Sequence, residues 1–265
     1  MLKLEGVSVQ FGGLKALTDI SFEVDEGSIH SVIGPNGAGK TTLFNAITGV
    51  VSIARGAVVL NSERIDGEAP HVISRKGIAR TFQNLRLFAT LSALDNVLIA
   101  DEARPAAVAD FVSTLLCLPH ARRAEKAARE RGLALLQTVG LGDKAERVAN
   151  TLSYGDQRRL EIARALATTP KLLLLDEPAA GMNPQEIASL TGFIAELPNR
   201  FSVTILLIEH QMRLVMNISR QISVLEYGRN LFTGTPEAVK SHPEVLRAYM
   251  GGRTAERVLR EEQTS

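Results

Sequence analysis

One glycine-rich turn restricts the possible folds of this chain more than any other feature. Residues Gly34–Thr41 read Gly-Pro-Asn-Gly-Ala-Gly-Lys-Thr; they follow the apolar run Ile29–Ile33 and lead into Thr41–Thr48, which has helical composition. A strand, a turn of this spacing and a helix together aim backbone N–H groups and a helix N-terminus at one point, where they attract phosphate oxygens. A chance glycine-rich turn would not need both flanking elements. The segment therefore predicts a phosphate-binding loop in an α/β fold.

The residue types in this loop suit a nucleoside triphosphate. Glycines let the backbone curl so that its N–H groups point inward. Lys40 can reach the β- and γ-phosphates, and the hydroxyl of Thr41 can ligate Mg²⁺. The residues predicted from the pattern to bind nucleotide are Gly34, Pro35, Asn36, Gly37, Ala38, Gly39, Lys40 and Thr41.

Two carboxylates follow a second apolar run. Leu172–Leu175 is short and wholly apolar, and Asp176 and Glu177 come directly after it. The carboxyl ends of such strands face the ligand crevice of an α/β sheet. We predict that Asp176 holds Mg²⁺ through water and that Glu177 polarises the attacking water as general base. An Asp-Glu pair after an apolar run is common by itself, so this interpretation depends on the upstream loop.

Two further polar residues are candidates because of their position. His210 follows the apolar run Val203–Ile208. A lone histidine is usually structural, but at a strand end beside the phosphate site it could donate to the γ-phosphate. Gln83 follows Ile78–Phe82 and precedes a segment of helical composition. A surface glutamine usually has no special role, and only its place at this junction makes it a candidate.

A second anion site is predicted at the start of another helix. Leu152–Arg159 opens a helix that continues through Leu166, and within it Ser153 and Gly155 can present a hydroxyl and bare backbone N–H groups. The alternative is an ordinary helix N-cap formed by Ser153. Because one nucleotide cannot use two distant sites of one chain, the pattern favours a dimer in which each second site meets the nucleotide of its partner.

The spacing of apolar residues predicts two kinds of strand. Leu172–Leu175 and Val203–Ile208 show almost no alternation, which is typical of strands buried on both faces in a parallel sheet covered by helices. Gln185–Leu197 reads as the crossover helix between them. Leu2–Val9 and Ile20–Val24 alternate between apolar and polar residues, which predicts half-buried strands.

The middle of the chain has a different composition. Leu94–Val139 is rich in Ala, Leu, Arg and Glu and has no strand signal, so we predict a helical insertion. Its most membrane-like stretch, Pro105–Ala121, contains Asp110 and Pro119 and is short for a membrane span. We expect this stretch to pack inside the protein.

Composition excludes several classes of protein. The 265 residues carry a net charge of +1, with 45% hydrophobic and 22% charged residues, as in ordinary globular domains. Near-neutral charge gives no electrostatic reason to expect a nucleic-acid partner. Cys117 is the single cysteine, so no internal disulfide can form, and a reduced cytosolic setting fits. Residues Met1–Glu5 lack the features that open a signal peptide.

The order of these motifs resembles that of the ABC transporter ATPase family over nearly the whole chain. The resemblance implies that ATP and Mg²⁺ are the cofactors. It extends the phosphate-binding loop to Thr42 and makes Gln83 a third Mg²⁺ ligand besides Thr41 and Asp176. The matched catalytic positions are Glu177, His210 and Gln83, and the signature motif is Leu152–Gln157.

The resemblance also assigns adenine stacking to Phe11. The alternative is a core phenylalanine at a strand end. Three positions depart from the family pattern: Tyr154 replaces a signature glycine, Asp156 replaces a glutamine, and Asn183 replaces an aspartate. Tyrosine cannot adopt a positive φ cheaply, so an altered anion site is expected at Tyr154.

The detailed sequence of several segments resembles that of the Liv-type ATPases of branched-chain amino-acid uptake. The segments that carry it are Phe11–Gly13, Arg80–Asn84, Tyr154–Arg164 and Pro178–Pro184. This resemblance implies an importer in which two non-identical ATPases serve a pair of transmembrane permeases and a periplasmic or extracellular amino-acid-binding protein. The chain would then lie peripherally on the cytoplasmic face of the cell membrane.

The family also implies the domain plan. We expect an α/β P-loop NTPase core with a mixed, mainly parallel sheet flanked by helices and an antiparallel β subdomain, formed by residues 1–90 and 158–250. An α-helical signature subdomain would occupy residues 91–157, and residues 251–265 would form a tail.

Three other assignments remain as alternatives to a Liv-type importer. They are a soluble ABC ATPase acting on ribosomes or DNA, a non-catalytic ATP-binding partner, and the ATPase of a lipopolysaccharide exporter. The first usually has two ATPase units or long coiled coils, and Glu177 and His210 argue against the second.

A membrane partner is expected at the junction after Gln83. Leu85, Leu87 and Phe88 are apolar, and a short permease helix could lie against them in a groove. The alternative is that all three fill the core of the helical insertion.

Overall fold

The predicted phosphate-binding loop and the pair Asp176 and Glu177 lie at the ends of strands of the larger of two β-sheets. The computed structural model describes residues 1–102 and 119–250. In chain order, the strands are β1 (Leu2–Phe11), β2 (Leu14–Val24), β3 (Ile29–Ile33), β4 (Arg55–Leu60), β5 (Glu63–Arg64), β6 (Ile78–Arg80), β7 (Leu172–Asp176), β8 (Thr204–Ile208), β9 (Gln221–Glu226) and β10 (Arg229–Gly234). The larger sheet has the order β10-β9-β3-β8-β7-β6.

This larger sheet is mixed and mainly parallel, as predicted. Strands β9, β3, β8, β7 and β6 pair in parallel, and β10 pairs with β9 in antiparallel fashion at one edge. Every residue of β3, β7 and β8 is buried, which agrees with their unbroken apolar runs. The parallel pairing brings the carboxyl ends of these strands to one edge of the sheet.

The smaller sheet is antiparallel and has the order β2-β1-β4-β5. Buried and exposed residues alternate along β1 and β2, which confirms the half-buried strands that their spacing predicts. Its inner face joins one hydrophobic core with α1, on one side of the larger sheet.

The helices cover the larger sheet and form the insertion. They are α1 (Lys40–Ile47), α2 (Pro70–Arg75), α3 (Ala93–Glu102), α4 (Pro119–Thr138), α5 (Tyr154–Ala167), α6 (Pro184–Phe201), α7 (Met212–Ile218), α8 (Pro236–Ser241) and α9 (Pro243–Met250). The predicted crossover helix is α6. Asn183 caps it in a capping box with Glu186, which gives this departure from the family pattern a local structural role.

The predicted helical insertion corresponds to α3 and α4, which pack against each other and against α5. A second hydrophobic core joins them to the opposite side of the larger sheet. Cys117 and residues 251–265 lie outside the described residues, as does most of Pro105–Ala121. No helix in residues 1–102 and 119–250 has both the length and the apolar character needed to cross a membrane. The expected domain limits stay a prediction; α5 runs across residue 158.

Candidate functional site

The glycine-rich segment forms a closed loop between β3 and α1. The N–H of Ala38 donates to the carbonyl of Pro35 (3.1 Å). A Cβ atom on Gly34 would lie 2.2 Å from the carbonyl oxygen of Leu225, so no larger residue fits there. Gly39 has a φ of 100°, which favours glycine, and it caps α1. The backbone can therefore approach a ligand closely at this point.

Lys40 lies at the centre of the loop. Its ammonium donates to the carbonyls of Gly34 (2.7 Å) and Pro35 (3.0 Å), and the residue is 6% exposed. Burial lowers the pKa of Lys40, although the nearby carboxylates of Glu177 and Asp176 act in the opposite direction. The ammonium is thus held where phosphate oxygens would replace the two carbonyls as acceptors.

Three predicted catalytic residues meet at Glu177. The side-chain amide of Gln83 lies 2.8 Å from Glu177 Oε2, and Nε2 of His210 lies 2.6 Å from Glu177 Oε1. Glu177 has a φ of 48°, which is uncommon for a residue other than glycine, and its N–H donates to the carbonyl of Ile208 (2.9 Å). Uncommon backbone geometry of this kind concentrates at functional sites.

These residues share one cleft of about 980 Å³. The predicted site residues that line it are Phe11, Asn36, Gly37, Ala38, Gly39, Lys40, Thr41, Thr42, Gln83, Glu177 and His210. Phe11 is 49% exposed, so the alternative that it fills the core is wrong. The structure brings together residues from five separate parts of the sequence, and this arrangement suits a nucleotide with its phosphates on the loop.

Asp176 is almost fully buried beside the cleft, and it has a partner that the sequence reasoning missed. Its Oδ2 lies 2.8 Å from one guanidinium nitrogen of Arg80. The other terminal nitrogen of that guanidinium donates to the side-chain oxygen of Asn45 (2.7 Å). The guanidinium lies 5.4 Å from the ring centroid of Phe44. The only available signal was that Arg80 ends a short run beside the junction. This ion pair fixes the position of the carboxylate.

Glu209 is a second residue that the sequence reasoning missed. It is 2% exposed, and its carboxylate accepts hydrogen bonds from the backbone N–H groups of Ala179 (2.7 Å), His210 (2.9 Å) and Gln211 (3.2 Å). A glutamate directly after the apolar run of β8 was the only signal. Its carboxylate ties the loop after β7 to the loop after β8, which holds Glu177 and His210 in register.

The predicted signature residues Ser153 and Gly155 lie outside the set of described residues that line this cleft. Ser153 is the N-cap of α5, and its hydroxyl accepts from the N–H of Asp156 (3.2 Å), so the N-cap that was the alternative interpretation is present. A Cβ atom on Gly155 would meet only Glu186, at 3.7 Å or more. Neither Ser153 nor Gly155 belongs to the described residues that line the cleft. Among the described residues, their predicted anion site is therefore separate from the cleft of their own chain.

The departures in the signature are accommodated locally. Tyr154 is the first residue of α5 and is not among the described residues with positive φ, so its backbone needs no glycine-like conformation, and the altered anion site stays a prediction. Its hydroxyl donates to the carbonyl of Ala180 (3.0 Å) and accepts from Arg158 (2.8 Å). The carboxylate of Asp156 pairs with Lys144 at 2.9 Å. Both replacements therefore make contacts of their own.

A groove of about 400 Å³ separates the core from the insertion. Phe88 lines it and is 48% exposed, with the guanidinium of Arg164 5.6 Å from its ring centroid. Leu87 instead packs against the hydrophobic core. The idea that Leu85, Leu87 and Phe88 all fill the core therefore fails for Phe88.

Comparison with known proteins gives the family. Residues 17–180 match the model of the ABC transporter family, and residues 229–255 match that of the branched-chain amino acid ATP-binding cassette transporter. The chain belongs to the ABC transporter ATPases. The expected fold agrees, because the chain shares the α/β architecture of solved ATP-binding cassettes.

This ABC ATPase has close curated relatives. It is 46% identical to the high-affinity branched-chain amino acid transport ATP-binding protein BraF of Pseudomonas aeruginosa over 251 residues, which cover 95% of this chain and 98% of BraF. It is 45% identical to LivG of Escherichia coli K12, with the same coverage. The lipopolysaccharide export system ATP-binding protein LptB of Haemophilus influenzae is 31% identical over 95% of this chain and 97% of LptB.

Solved structures agree with the fold. The ADP conformation of MJ1267, an ATP-binding cassette of an ABC transporter, superimposes with a TM-score of 0.82 at 31% identity, covering 95% of this chain and 99% of that one. The dimeric structure of MJ0796, a bacterial ABC transporter cassette, has a TM-score of 0.73 at 25% identity and covers 89% of this chain and 99% of that one.

Proposed function

We propose that this chain binds and hydrolyses ATP in the cleft and thereby energises the import of branched-chain amino acids. The observation that carries the catalytic part is the convergence of Gln83, Glu177 and His210 on one wall of the cleft that holds the phosphate-binding loop. The substrate class rests on the similarity to BraF and LivG, which are 46% and 45% identical, against 31% for LptB.

The contacts of Glu177 suggest how hydrolysis is controlled. In the structure, one of its carboxylate oxygens pairs with Gln83 and the other with His210. A bound γ-phosphate offers both donors a more strongly charged acceptor. When Gln83 and His210 turn to the γ-phosphate, Glu177 is free to accept a proton from the attacking water. Lys40 and the N–H groups of the loop then stabilise the charge that develops on the phosphate.

Mg²⁺ fits the oxygen donors of the cleft. Thr41 offers a hydroxyl there, Asp176 lies beside it at the end of β7, and the side-chain oxygen of Gln83 can complete the set. Mg²⁺ prefers hard oxygen ligands and keeps several waters, so few protein ligands suffice. When bound, Mg²⁺ would neutralise charge on the β- and γ-phosphates.

A second ATPase subunit completes the signature site. Ser153 is exposed and Gly155 is open, and neither reaches the cleft of its own chain. Pairing two subunits face to face would place each signature against the nucleotide of the other, and the solved MJ0796 cassette, a relative at 25% identity, is a dimer. We expect a related but non-identical ATPase as the partner, as in Liv-type importers.

The groove beside Phe88 is the proposed binding site for a permease. Two transmembrane permeases would hold the two ATPases on the cytoplasmic face of the membrane and receive amino acid from a periplasmic or extracellular binding protein. Phe88 offers an exposed aromatic ring, and Ile99 and Val50 add apolar surface to the same groove. No nucleic acid is expected as a partner.

The catalytic proposal is tested with Lys40→Ala. The isolated subunit should lose ATP binding, and vesicles containing the permeases and the second ATPase encoded with this chain should lose ATP-driven uptake of labelled leucine. Lys171→Ala changes an exposed lysine at the opposite, amino end of β7 and should leave both measurements unchanged. If Lys40→Ala abolished lipopolysaccharide export and left leucine uptake intact, the exporter alternative would replace the importer.

The proposed permease-binding site is tested with Phe88→Asp. Because the ring is half exposed, the isolated subunit should stay folded and bind ATP, while association with the permeases and leucine uptake are lost. Leu87→Asp places the charge in the core instead and should lower the melting temperature sharply. A folded Phe88→Asp subunit that supports normal uptake would contradict the proposal that a permease binds in this groove.

A further inference from the structure

A buried ion pair lies one turn inside the signature helix. Arg158 and Glu161 on α5 are 2% and 4% exposed, and their charged atoms are 3.0 Å apart. Removing two charges from water costs several kcal/mol per ion unless further hydrogen bonds compensate. The other hydrogen bonds of this pair therefore show what it holds in place.

Both partners bind the backbone around Gln83. The guanidinium of Arg158 donates to the carbonyl of Phe82 (3.0 Å) and to the carbonyl of Gln83. The carboxylate of Glu161 accepts from the N–H groups of Phe82 and Arg86, each at 3.4 Å. The segment that carries Gln83 into the cleft is thus held at its backbone by two side chains of the signature helix.

The same guanidinium reaches a third segment. It donates to the hydroxyl of Tyr154 (2.8 Å), which in turn donates to the carbonyl of Ala180 (3.0 Å) in the loop after Glu177. The ring of Tyr154 also lies against Gly181, where a Cβ atom would come within 3.7 Å of it. One side chain therefore connects the start of α5, the Gln83 segment and the loop that follows the catalytic carboxylate.

We propose that Arg158 and Glu161 are positioning residues that make Gln83 and the signature motif move as one unit. This inference rests on the proposed function, since it concerns how Gln83 and Ser153 cooperate in hydrolysis. The guanidinium is a rigid planar fork, so a shift of the Gln83 backbone is passed directly to the first turn of α5.

A consequence for the reaction follows. When Gln83 turns to the nucleotide of its own chain, Ser153 and Gly155 would be brought into place for the nucleotide of the partner. Neither Arg158 nor Glu161 lines the nucleotide cleft among the described residues, so they should affect turnover and not nucleotide binding. A purely structural pair would instead affect only the stability of the fold.

The test is Arg158→Met in the complete transporter, since methionine keeps an unbranched apolar stem and a similar helix propensity but removes the donors. We expect kcat for ATP hydrolysis to fall by at least about 10-fold, because displaced groups lose their alignment. The KM for ATP and the ATP affinity of the isolated subunit should stay within about two-fold of wild type. In a Glu177→Gln background, the ATP-dependent association of subunits should also be lost.

Arg159→Met is the matched control. Arg159 is the next residue of α5; it donates to the carbonyl of Val139 (3.1 Å) and to the hydroxyl of Ser189 (2.8 Å), and its guanidinium lies 4.9 Å from the ring centroid of Phe193. These contacts involve α6 and the end of α4, and none involves the Gln83 segment. Its loss should lower the melting temperature with kcat and KM unchanged.

Several outcomes would overturn the proposal. An unchanged kcat in folded Arg158→Met would do so, as would equal loss of kcat in Arg158→Met and Arg159→Met. If Arg158→Met fails to fold, Glu161→Gln, which keeps the shape of the side chain, takes its place in the same comparison, and an unchanged kcat in that variant overturns the proposal. Failure of the proposed function looks different, since then the wild-type transporter itself would not couple ATP hydrolysis to leucine uptake.

Discussion

The nucleotide cleft and the signature region are both suited to anions, but only the cleft is complete within one chain. At the cleft, the parallel strands β3, β7 and β8 deliver the loop, Glu177 and His210 to one edge of the sheet, and Gln83 arrives from the neighbouring β6. At the signature, Ser153 and Gly155 stand at an exposed helix start with no catalytic side chain of their own.

This difference separates chemistry from control. Under the proposed function, the cleft holds the groups that react with ATP, and the signature region acts only when a second subunit is brought to it. Hydrolysis would then start only when two chains meet. Substitutions at Glu177, Gly155 and Phe11 test whether the two regions differ in this way.

Glu177→Gln should have the largest effect. The amide cannot accept a proton, so we expect ATP hydrolysis by the assembled transporter to fall by about 10³-fold, while ATP still binds. Steady-state phosphate release and equilibrium ATP binding measure the two quantities. Glu196→Gln, at an exposed residue of α6 that pairs with Arg200, should hydrolyse normally. Normal turnover by Glu177→Gln would show that the catalytic centre lies elsewhere than in this cleft.

Gly155→Asp should have a smaller effect and should appear only in the assembly. A Cβ atom fits there, but the new carboxylate would repel the phosphates of the partner's nucleotide. We expect hydrolysis in the transporter to fall by about 10²-fold, comparable to the loss of a group that stabilises phosphate charge. ATP binding by the isolated subunit should not change.

Gly155→Ala separates charge from size, and its turnover should stay close to wild type. Size-exclusion chromatography in the Glu177→Gln background should show ATP-dependent pairing for the alanine form and none for the aspartate form. Equal behaviour of the two variants would mean that the signature does not meet an anion.

Phe11→Ala should have the smallest effect, confined to the base end of the cleft. Loss of one stacking ring should weaken ATP binding by about 5-fold, in line with roughly 1 kcal/mol for such contacts. Binding of inorganic triphosphate, which has no base, should not change, and Phe11→Tyr should bind ATP like wild type. Isothermal titration calorimetry compares the ligands directly. An equal loss for both ligands would remove Phe11 from the adenine site.

Much of the fold was predictable because its signals are local. The apolar runs of β3, β7 and β8 show burial on both faces, and the alternation in β1 and β2 shows burial on one. The loop was predictable for the same reason, since its closed shape depends on glycines within a few residues of one another.

The partners of the site residues were less predictable. Nothing in the sequence marks Arg80 as the ion-pair partner of Asp176, which is 96 residues away, or Arg158 as the residue that holds the Gln83 backbone. Arginines and glutamates are frequent on helix surfaces, so their type carries little information about a distant contact. The exposure of Phe88 beside the packed Leu87 also depended on how the insertion sits against the sheet.

The identity and order of the motifs could be read from the sequence alone: a phosphate-binding loop, a strand ending in Asp176 and Glu177, a helix capped by Ser153 and a histidine after β8. These follow from the spacing of apolar residues, the conformational freedom of glycine and helix capping, all of which act over a few residues. It took the tertiary structure to show that Gln83 and His210 contact the two oxygens of Glu177 and that Ser153 is not among the described residues lining the cleft. The physical reason is that parallel strands bring distant segments to one edge of a sheet, and the pairs that meet there are set by packing across the whole domain.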